Sequence, residues 1–309
     1  MLTDQELRAQ PPPRVFDFTQ FDIFKDCKRK YYLFLRRVGV PVEPAYFTAG
    51  RAWGVGLGKW YLSPSPAPQD RLMDAKAAML QVYEESGNLN IIGSRSILNL
   101  CNLLELYTIQ YPVEPFQVLG MEIGFKFPLP QTEEYYLAGS LDGYLEWPGY
   151  GMCVMEAKTT AGYLTAEFGT QWRLSKQPTM YLWALSQLLP TDQIFGCLMN
   201  YASLYIPVKP NPNRKSSQFS RNMEQRSPQV LKVFERECRL LIEDIELEWK
   251  RWEWPMTGRF CSGGYGLKPC EYRTLCIANE AAAPDQIQVP AGVYVEREVW
   301  QPWERFGNP

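Results

Sequence analysis

Histidine is absent from the 309 residues of this chain. Its absence excludes Ser-His-Asp triads, Cys-His pairs and the zinc or copper sites that use imidazole ligands. Any proton transfer must therefore use carboxylates, lysine, tyrosine or a water molecule bound to a metal ion.

The chain also lacks an excess of basic residues and a long apolar segment. Lys and Arg number 32 against 34 Asp and Glu, a formal net charge of −2. Proteins that coat nucleic acid usually carry a basic excess, so any such contact here must use a local basic patch, helped by bound metal cations. No run of about 18 apolar residues predicts a membrane span, and residues 1–14 lack the pattern of a secretory signal, so a cytoplasmic protein is expected.

The order of apolar and polar residues predicts an α/β fold, a short mixed sheet flanked by helices, with further helices at the N-terminus. A flexible arm is predicted over 1–15, one domain over 16–280, and a loosely packed tail over 281–309. Helices are predicted over 16–36, 50–62, 70–86, 95–110, 165–189 and 227–252, strands over 118–129, 135–147, 152–160 and 194–206, and a polar loop over 209–226.

Three charged residues stand in otherwise apolar predicted strands: Asp142, Glu156 and Lys158. Side chains alternate along a strand, so Glu156 and Lys158 share one face. A hairpin loop of odd length over 147–151 sets Asp142 opposite Glu156, whereas a loop of four residues separates these faces unless a bulge intervenes. The favourable register collects two carboxylates and one ammonium group in a single cluster.

Adjacent carboxylates repel each other unless a cation joins them. Lys158 offers one positive charge, and a divalent ion such as Mg²⁺ or Mn²⁺, which prefers oxygen ligands, offers more. Such an ion can bind a phosphate oxygen and activate water, while the lysine orients the water or neutralises charge growing on phosphorus. The competing interpretation of this short pattern is a surface hairpin with solvated charges.

The same residues resemble the motif of the PD-(D/E)XK nuclease superfamily, and specifically its RecB-like exonuclease branch. That branch has a Gln-x-x-x-Tyr helix, matched by Gln177 and Tyr181, which the resemblance implies line the active site and contact DNA. It also has an acidic residue one strand earlier, matched by Glu122, which the resemblance implies is a further metal ligand. The family's Gly-x-x-x-His motif is matched by Gly50 to Gly54, but Gly54 stands where the metal-binding histidine is usual.

Four of the eight cysteines form a second pattern: Cys27 near the start, and Cys261, Cys270 and Cys276 in a Gly-rich stretch near the end. Three thiols at this spacing can surround a metal centre, and with no histidine in the chain the fourth ligand is most simply Cys27. Four thiolates suit either a 4Fe–4S cluster or a structural Zn²⁺ ion. A subset of RecB-like nucleases has one early and three late cysteines that ligate a 4Fe–4S cluster, and this resemblance implies an architectural cluster over residues 255–280.

Basic residues in three stretches are candidate DNA contacts. They are Lys28, Arg29 and Lys30 in the predicted N-terminal helix, Arg173 and Lys176 just before the Gln-x-x-x-Tyr motif, and Arg214 and Lys215 in the polar loop. Contacts of this kind make binding depend on salt. The competing interpretation is a solvated face of each element.

The resemblance implies an Mg²⁺- or Mn²⁺-dependent DNA nuclease, an exonuclease in DNA repair, recombination or phage DNA processing, with a restriction-endonuclease-like catalytic core over 116–208. The chain has no Gly-x-x-x-x-Gly-Lys P-loop, so unwinding would need a helicase or recombination partner. The alternative is a non-catalytic iron–sulfur DNA-binding subunit that keeps the nuclease fold. The missing motif histidine brings this alternative into consideration.

Overall fold

The structure is a computed structural model that describes residues 1–132, 134–206, 218–258, 261, 269–299 and 301–304. The candidate contacts Arg214 and Lys215 lie outside these residues. The chain divides into two compact units. The first comprises residues 1–41, 127–138 and 233–301, and the second comprises 42–126, 139–232 and 302–309.

The helices and strands are numbered in chain order over the described residues. The helices are α1 Asp4–Arg8, α2 Phe18–Asp26, α3 Lys28–Leu35, α4 Ala45–Leu62, α5 Pro68–Glu85, α6 Ile97–Gln110, α7 Ala166–Thr170, α8 Lys176–Ser186, α9 Pro228–Arg251 and α10 Arg273–Ala278. The strands are β1 Val15–Phe16, β2 Val38–Gly39, β3 Gln117–Pro128, β4 Tyr136–Trp147, β5 Gly151–Thr160, β6 Ile194–Ser203, β7 Phe219–Glu224 and β8 Val295–Glu296. In this part of the chain, no helix is both long and apolar enough to cross a membrane.

A mixed sheet forms the centre of the second unit. Strand β4 pairs with β3 on one side and runs antiparallel to β5 on the other. Strand β6 runs parallel to β5, and β7 runs antiparallel to β6. Helices α4, α5 and α6 pack together, and α4 also packs on β5, while α8 packs on β5 and β6. The predicted α/β class, a mixed sheet flanked by helices, is confirmed.

Helix α4 is apolar around most of its surface because it packs between other elements of this unit. Trp53 and Leu57 of α4 are fully buried with Leu104 and Tyr107 of α6 and Met155 of β5. Each large side chain removed from water in this way contributes about 1.5 to 3 kcal/mol to folding. The result is a fixed platform beneath the strand that carries Glu156 and Lys158.

The prediction of a flexible arm over 1–15 is wrong. Residues Asp4–Arg8 form helix α1, which the Thr3 and Glu6 side chains cap reciprocally at its first turn. The Asp4 carboxylate is buried and accepts hydrogen bonds from the Tyr32 hydroxyl at 2.7 Å and the Trp252 indole at 2.9 Å. The polar, Pro-rich composition of residues 1–15 does not predict these buried contacts.

The first unit also departs from two other predictions. The helix predicted over 16–36 is broken at Cys27, whose extended backbone ends α2 and begins α3. The predicted tail contains strand β8, which pairs antiparallel with β2, and Tyr294 just before it is buried. The periodicity of apolar residues reveals neither the break at Cys27 nor the backbone pairing of β8 with β2.

The long helix predicted over 165–189 is interrupted. Helix α7 is followed by a 3₁₀ turn over Gln171–Leu174, and α8 then starts afresh with the Ser175 hydroxyl accepting from the Gln177 N–H. Pro178 explains the restart, because proline is tolerated in the first turn of a helix but clashes in its interior. The loop predicted over 209–226 contains strand β7.

Candidate active site

The hairpin between β4 and β5 sets the register of the site. Trp147 pairs with Gly151, which leaves a three-residue loop, and the pairing continues to Gly143 opposite Met155. Gly151 has φ +119°, and a side chain there would lie 2.4 Å from a backbone oxygen, so this corner requires glycine. The odd loop predicted from the sequence is confirmed.

This register brings Asp142 to β5. The Asp142 carboxylate Oδ2 accepts a hydrogen bond of 2.8 Å from the backbone N–H of Ala157, the residue between Glu156 and Lys158. Asp142 on β4 therefore contacts β5 at the residue that separates Glu156 from Lys158.

A chain of polar contacts links the motif to helix α8. The Lys158 ammonium forms an ion pair with Glu156 Oε1 and donates a hydrogen bond of 2.9 Å to Gln177 Oε1. The Gln177 amide in turn donates to the Tyr181 hydroxyl at 2.9 Å. Gln177 and Tyr181 share one face of α8 because they are four residues apart. The structure therefore brings together the residues predicted from both motifs.

Trp172 was not predicted from the sequence. Lys158 Nζ lies 5.1 Å from the centroid of the Trp172 ring, a cation–π contact that adds to the ion pair. Trp172 belongs to the 3₁₀ turn before α8, and no spacing rule marks it. The interruption of the predicted long helix is what places this ring beside the lysine.

The charges of the cluster shift each other's protonation. Burial raises the pKa of Asp142 well above its ordinary value, and the nearby carboxylates of Glu156 and Glu122 raise it further. Burial opposes the charged form of Lys158, but the Glu156 and Asp142 carboxylates outweigh it and raise the lysine pKa. Both shifts have the same cause, because several carboxyl groups crowd around one ammonium group.

One atom marks where a cation would act. Glu156 is only 1% exposed, and its Oε2 atom is buried with no hydrogen-bond partner. A buried carboxylate oxygen without a partner is costly, and a divalent ion relieves both that cost and the repulsion among carboxylates. The chemistry of the donors fits Mg²⁺ or Mn²⁺, although the described Cys, Asp and Glu side chains do not form a group of three arranged around one point.

Gly54, which occupies the motif's histidine position, lies beside Glu122. A Cβ atom at Gly54 would be 3.1 Å from Glu122 Oε1. Glu122 lies within strand β3 and has φ +54°, a left-handed conformation that is uncommon for residues with side chains. The side chain missing at Gly54 therefore leaves the space that the Glu122 carboxylate fills.

Replacing Gly54 with alanine is expected to separate stability from activity. Alanine in a helix interior gains about 0.5 to 1 kcal/mol over glycine, but its Cβ displaces the Glu122 carboxylate. We expect an unchanged or higher melting temperature together with a several-fold higher metal concentration for half-maximal activity. Gly58→Ala is the matched control, because a Cβ there meets only Met121 at an ordinary 3.7 Å. Equal metal dependence of both variants would contradict the link between Gly54 and Glu122.

The four motif cysteines all lie in the first unit. Burial raises the pKa of Cys270 and of Cys276, each to about 11, and the charges of Cys27 and Cys261 also raise that of Cys276. The backbone N–H of Cys270 donates to the carbonyl of Cys261 at 3.4 Å. These cysteines are neighbours, but among the described residues they do not form a metal-binding group of three or more.

The basic residues of α3 serve mainly to hold the first unit together. Arg29 is only 6% exposed and donates to the Trp254 carbonyl at 2.9 Å, so its prediction as a DNA contact is wrong. Lys28 pairs with Glu248 at 2.6 Å and Lys30 with Glu271 at 3.4 Å. An amphipathic pattern of basic and aromatic residues does not distinguish a DNA-facing helix from one whose cations bind carboxylates and carbonyls of its own unit.

Arg173 and Lys176 lie in the segment that also carries Trp172 and Gln177. Arg173 is exposed in the 3₁₀ turn next to Trp172, and Lys176 begins helix α8, one residue before Gln177. Both lie in the segment that carries the polar contacts to Lys158. They remain predicted DNA contacts.

The mixed sheet and the Asp, Glu-x-Lys and Gln-x-x-x-Tyr groups together define a restriction-endonuclease-like nuclease core. The sequence matches the family model of the PD-(D/E)XK nuclease superfamily over residues 17–277, most of the chain. The chain therefore belongs to this superfamily and is a phosphodiester-hydrolysing nuclease by class.

Comparison with other known proteins adds little to the family assignment. No curated protein matches the sequence. The crystal structure of SSO0001 is 14% identical, with a TM-score of 0.34 over 79% of this chain and 81% of that chain. An alkaline exonuclease (LHK-Exo) from Laribacter hongkongensis is 12% identical, with a TM-score of 0.30 over 66% of this chain and 94% of that chain. Both likenesses are too weak to bear on function.

Proposed function

We propose that this protein is an Mg²⁺- or Mn²⁺-dependent deoxyribonuclease. The observation that carries the proposal is the buried, unpartnered Oε2 atom of Glu156, in a cluster with the half-buried Asp142 carboxylate and the Lys158 ammonium. Asp142 and Glu156 are the proposed metal ligands, with Glu122 as a further ligand. When bound, the ion would offset the charge of these carboxylates and of a substrate phosphate, and would lower the pKa of water.

Lys158 is the proposed orienting and charge-neutralising group. Its ammonium is held by Glu156 on one side and Gln177 on the other, so its position is fixed before substrate arrives. A fixed cation at this place stabilises negative charge that grows on the phosphate oxygens in the transition state. Tyr181 holds Gln177 through the 2.9 Å hydrogen bond and so acts as a positioning residue.

We further propose that the protein is an exonuclease of the RecB-like branch. It would act on DNA in repair, recombination or phage DNA processing, in the cytoplasm of a bacterial or phage-infected cell, with a helicase or recombination protein as its partner. The Gln177 and Tyr181 helix and the basic Arg173 and Lys176 support this assignment, because all four residues lie in one segment and Gln177 of that segment contacts Lys158.

The direct test is incubation of the purified protein with linear and circular DNA, single- and double-stranded, in Mg²⁺ or Mn²⁺. We expect metal-dependent cleavage of linear DNA that Asp142→Asn abolishes. Cleavage that persists in Asp142→Asn, or in EDTA, contradicts the site. Equally rapid cleavage of circular DNA contradicts the exonuclease assignment while leaving the nuclease intact.

We also propose that Cys27, Cys261, Cys270 and Cys276 hold a 4Fe–4S cluster, with a structural Zn²⁺ ion as the alternative. Their common neighbourhood supports this, and the break between α2 and α3 at Cys27 turns that residue out of either helix. No step of hydrolysis passes through this centre.

Replacing Cys27 with serine is expected to remove the proposed centre. Anaerobically purified protein should be brown with absorbance at about 400 nm, and Cys27→Ser should lose both colour and iron. Cys101→Ser, at a cysteine on α6, is the control and should keep them. Colourless protein with stoichiometric zinc supports the alternative, and a purified protein with neither metal contradicts both.

The second candidate function is a non-catalytic DNA-binding subunit. It is favoured by Gly54 at the usual histidine position and by the absence, among the described residues, of three ligands around one point. Tight DNA binding without cleavage in either metal would establish it in place of the nuclease.

A further inference from the structure

A cavity lies beside the active site within the second unit. Its volume is about 360 Å³, and its walls come from α7, the 3₁₀ turn that follows it, β6 and β7. Binding cavities for small organic molecules typically measure roughly 300 to 1,000 Å³. The volume therefore suits an occupant no larger than one nucleotide.

The sheet register connects this cavity to the catalytic lysine. Lys158 pairs with Tyr201 on β6, and Tyr201 pairs with Ser220 on β7, so the three side chains lie on one face in a row across the sheet. Tyr201 and Ser220 line the cavity. Adjacent strands are about 4.8 Å apart, so the cavity begins one strand away from Lys158.

The walls combine aromatic rings with hydrogen-bonding groups. Phe168 and Tyr201 contribute two rings whose centroids are 5.3 Å apart. Ser220 and Asn222 add a hydroxyl and an amide. Rings and amides of this kind recognise the faces and edges of nucleobases.

The Glu224 wall of the cavity favours an occupant that can donate hydrogen bonds. Glu224 lines the cavity and pairs with Arg226 at 3.2 Å, so one wall presents a buried carboxylate whose charge is already balanced. Arg173 is the cation among the described lining residues and is exposed at the protein surface. A neutral heterocycle can donate a hydrogen bond to the Glu224 carboxylate, whereas a phosphodiester carries only acceptors and cannot.

We propose that this cavity receives the unpaired base of the nucleotide next to the phosphate that Lys158 faces. The proposal rests on the nuclease function proposed above and adds that the substrate is single-stranded where it is cut. A base inside the cavity cannot remain paired, because its hydrogen-bonding edge is used by the protein. With a base in the cavity, Arg173 would lie where the sugar-phosphate backbone of the same DNA strand approaches it.

The test measures DNA binding in EDTA, where no hydrolysis is needed. The probes are a single-stranded oligonucleotide and a strand of equal length made of abasic residues, followed by fluorescence anisotropy. We expect the wild-type protein to bind the base-bearing strand roughly tenfold more tightly, as stacking of one base provides. Ala166→Phe, which fills the cavity from α7, should remove this preference, and Asn222→Ala should weaken it. Gln171→Phe adds the same ring at an exposed position outside the cavity wall and should preserve it.

The outcomes separate this proposal from the nuclease assignment. A preference that survives both Ala166→Phe and Asn222→Ala overturns the base-binding cavity. An equal loss of affinity for both strands also overturns it, since the cavity would then hold the backbone. If the protein does not cleave DNA in Mg²⁺ or Mn²⁺ but still prefers the base-bearing strand in EDTA, the nuclease function is contradicted and the base-binding cavity is not.

Discussion

Replacing Lys158 with methionine is expected to lower DNA cleavage by roughly a hundred- to a thousand-fold, the usual cost of removing one fixed donor from a charged transition state. Methionine keeps most of the apolar stem beside Trp172 but removes the ammonium that binds Glu156 and Gln177. Glu156→Gln should cost at least as much, because it removes a proposed metal ligand. Single-turnover cleavage of labelled DNA in Mg²⁺ measures both losses.

These two residues should also fail to act independently. Lys158 is held by Glu156, so the double variant should lose little more activity than the worse single variant. Glu146→Gln and Lys59→Met are matched controls, since both residues are exposed and lie outside the polar chain to α8. Full additivity of the Lys158 and Glu156 effects, or losses of equal size in the controls, would contradict a shared role at one site.

The local pattern of the sequence predicted much of this site because strand geometry is simple. An odd hairpin loop and the two-residue alternation of a strand suffice to bring Asp142 beside β5 and to put Glu156 and Lys158 on one face. Gln177 and Tyr181 needed one further rule, their spacing of four on a helix. These rules concern residues that are close in sequence or lie on paired strands, and the structure shows each of the arrangements that they predict.

Other features depend on partners far away in the chain. Arg29 looks like a DNA contact until the Trp254 carbonyl, more than two hundred residues later, is placed beside it. Trp172 joins the site because Pro178 restarts a helix and leaves a 3₁₀ turn before it. The fit of Glu122 beside Gly54 requires a left-handed residue inside a strand, which no propensity predicts. Patterns in a single sequence do not predict contacts between residues that are far apart in the chain.

A buried ion pair on the opposite face of β7 supports the same sheet. Strand alternation turns Arg221 away from the cavity that Ser220 and Asn222 line. Its guanidinium makes two hydrogen bonds to the Glu114 carboxylate, at 2.6 and 2.8 Å, and lies 3.5 Å from the centroid of the Tyr111 ring. Burial disfavours its charged form, but the Glu114 hydrogen bonds outweigh this and raise the Arg221 pKa.

Replacing Arg221 with methionine is therefore expected to lower the free energy of unfolding by about 3 to 5 kcal/mol, because the largely desolvated Glu114 carboxylate loses its cation and keeps the Tyr61 hydroxyl as its partner. Each partner of this pair is only 13% exposed, so solvent screens little of the interaction. Urea unfolding of single variants and of Arg221→Met with Glu114→Leu gives the coupling, and the double variant should be more stable than Arg221→Met alone. Lys76→Met is the control, since it breaks a more exposed pair with Glu105 and should cost about 1 kcal/mol or less. A cost for Arg221→Met no larger than that of Lys76→Met would show that burial does not make this pair essential to the sheet.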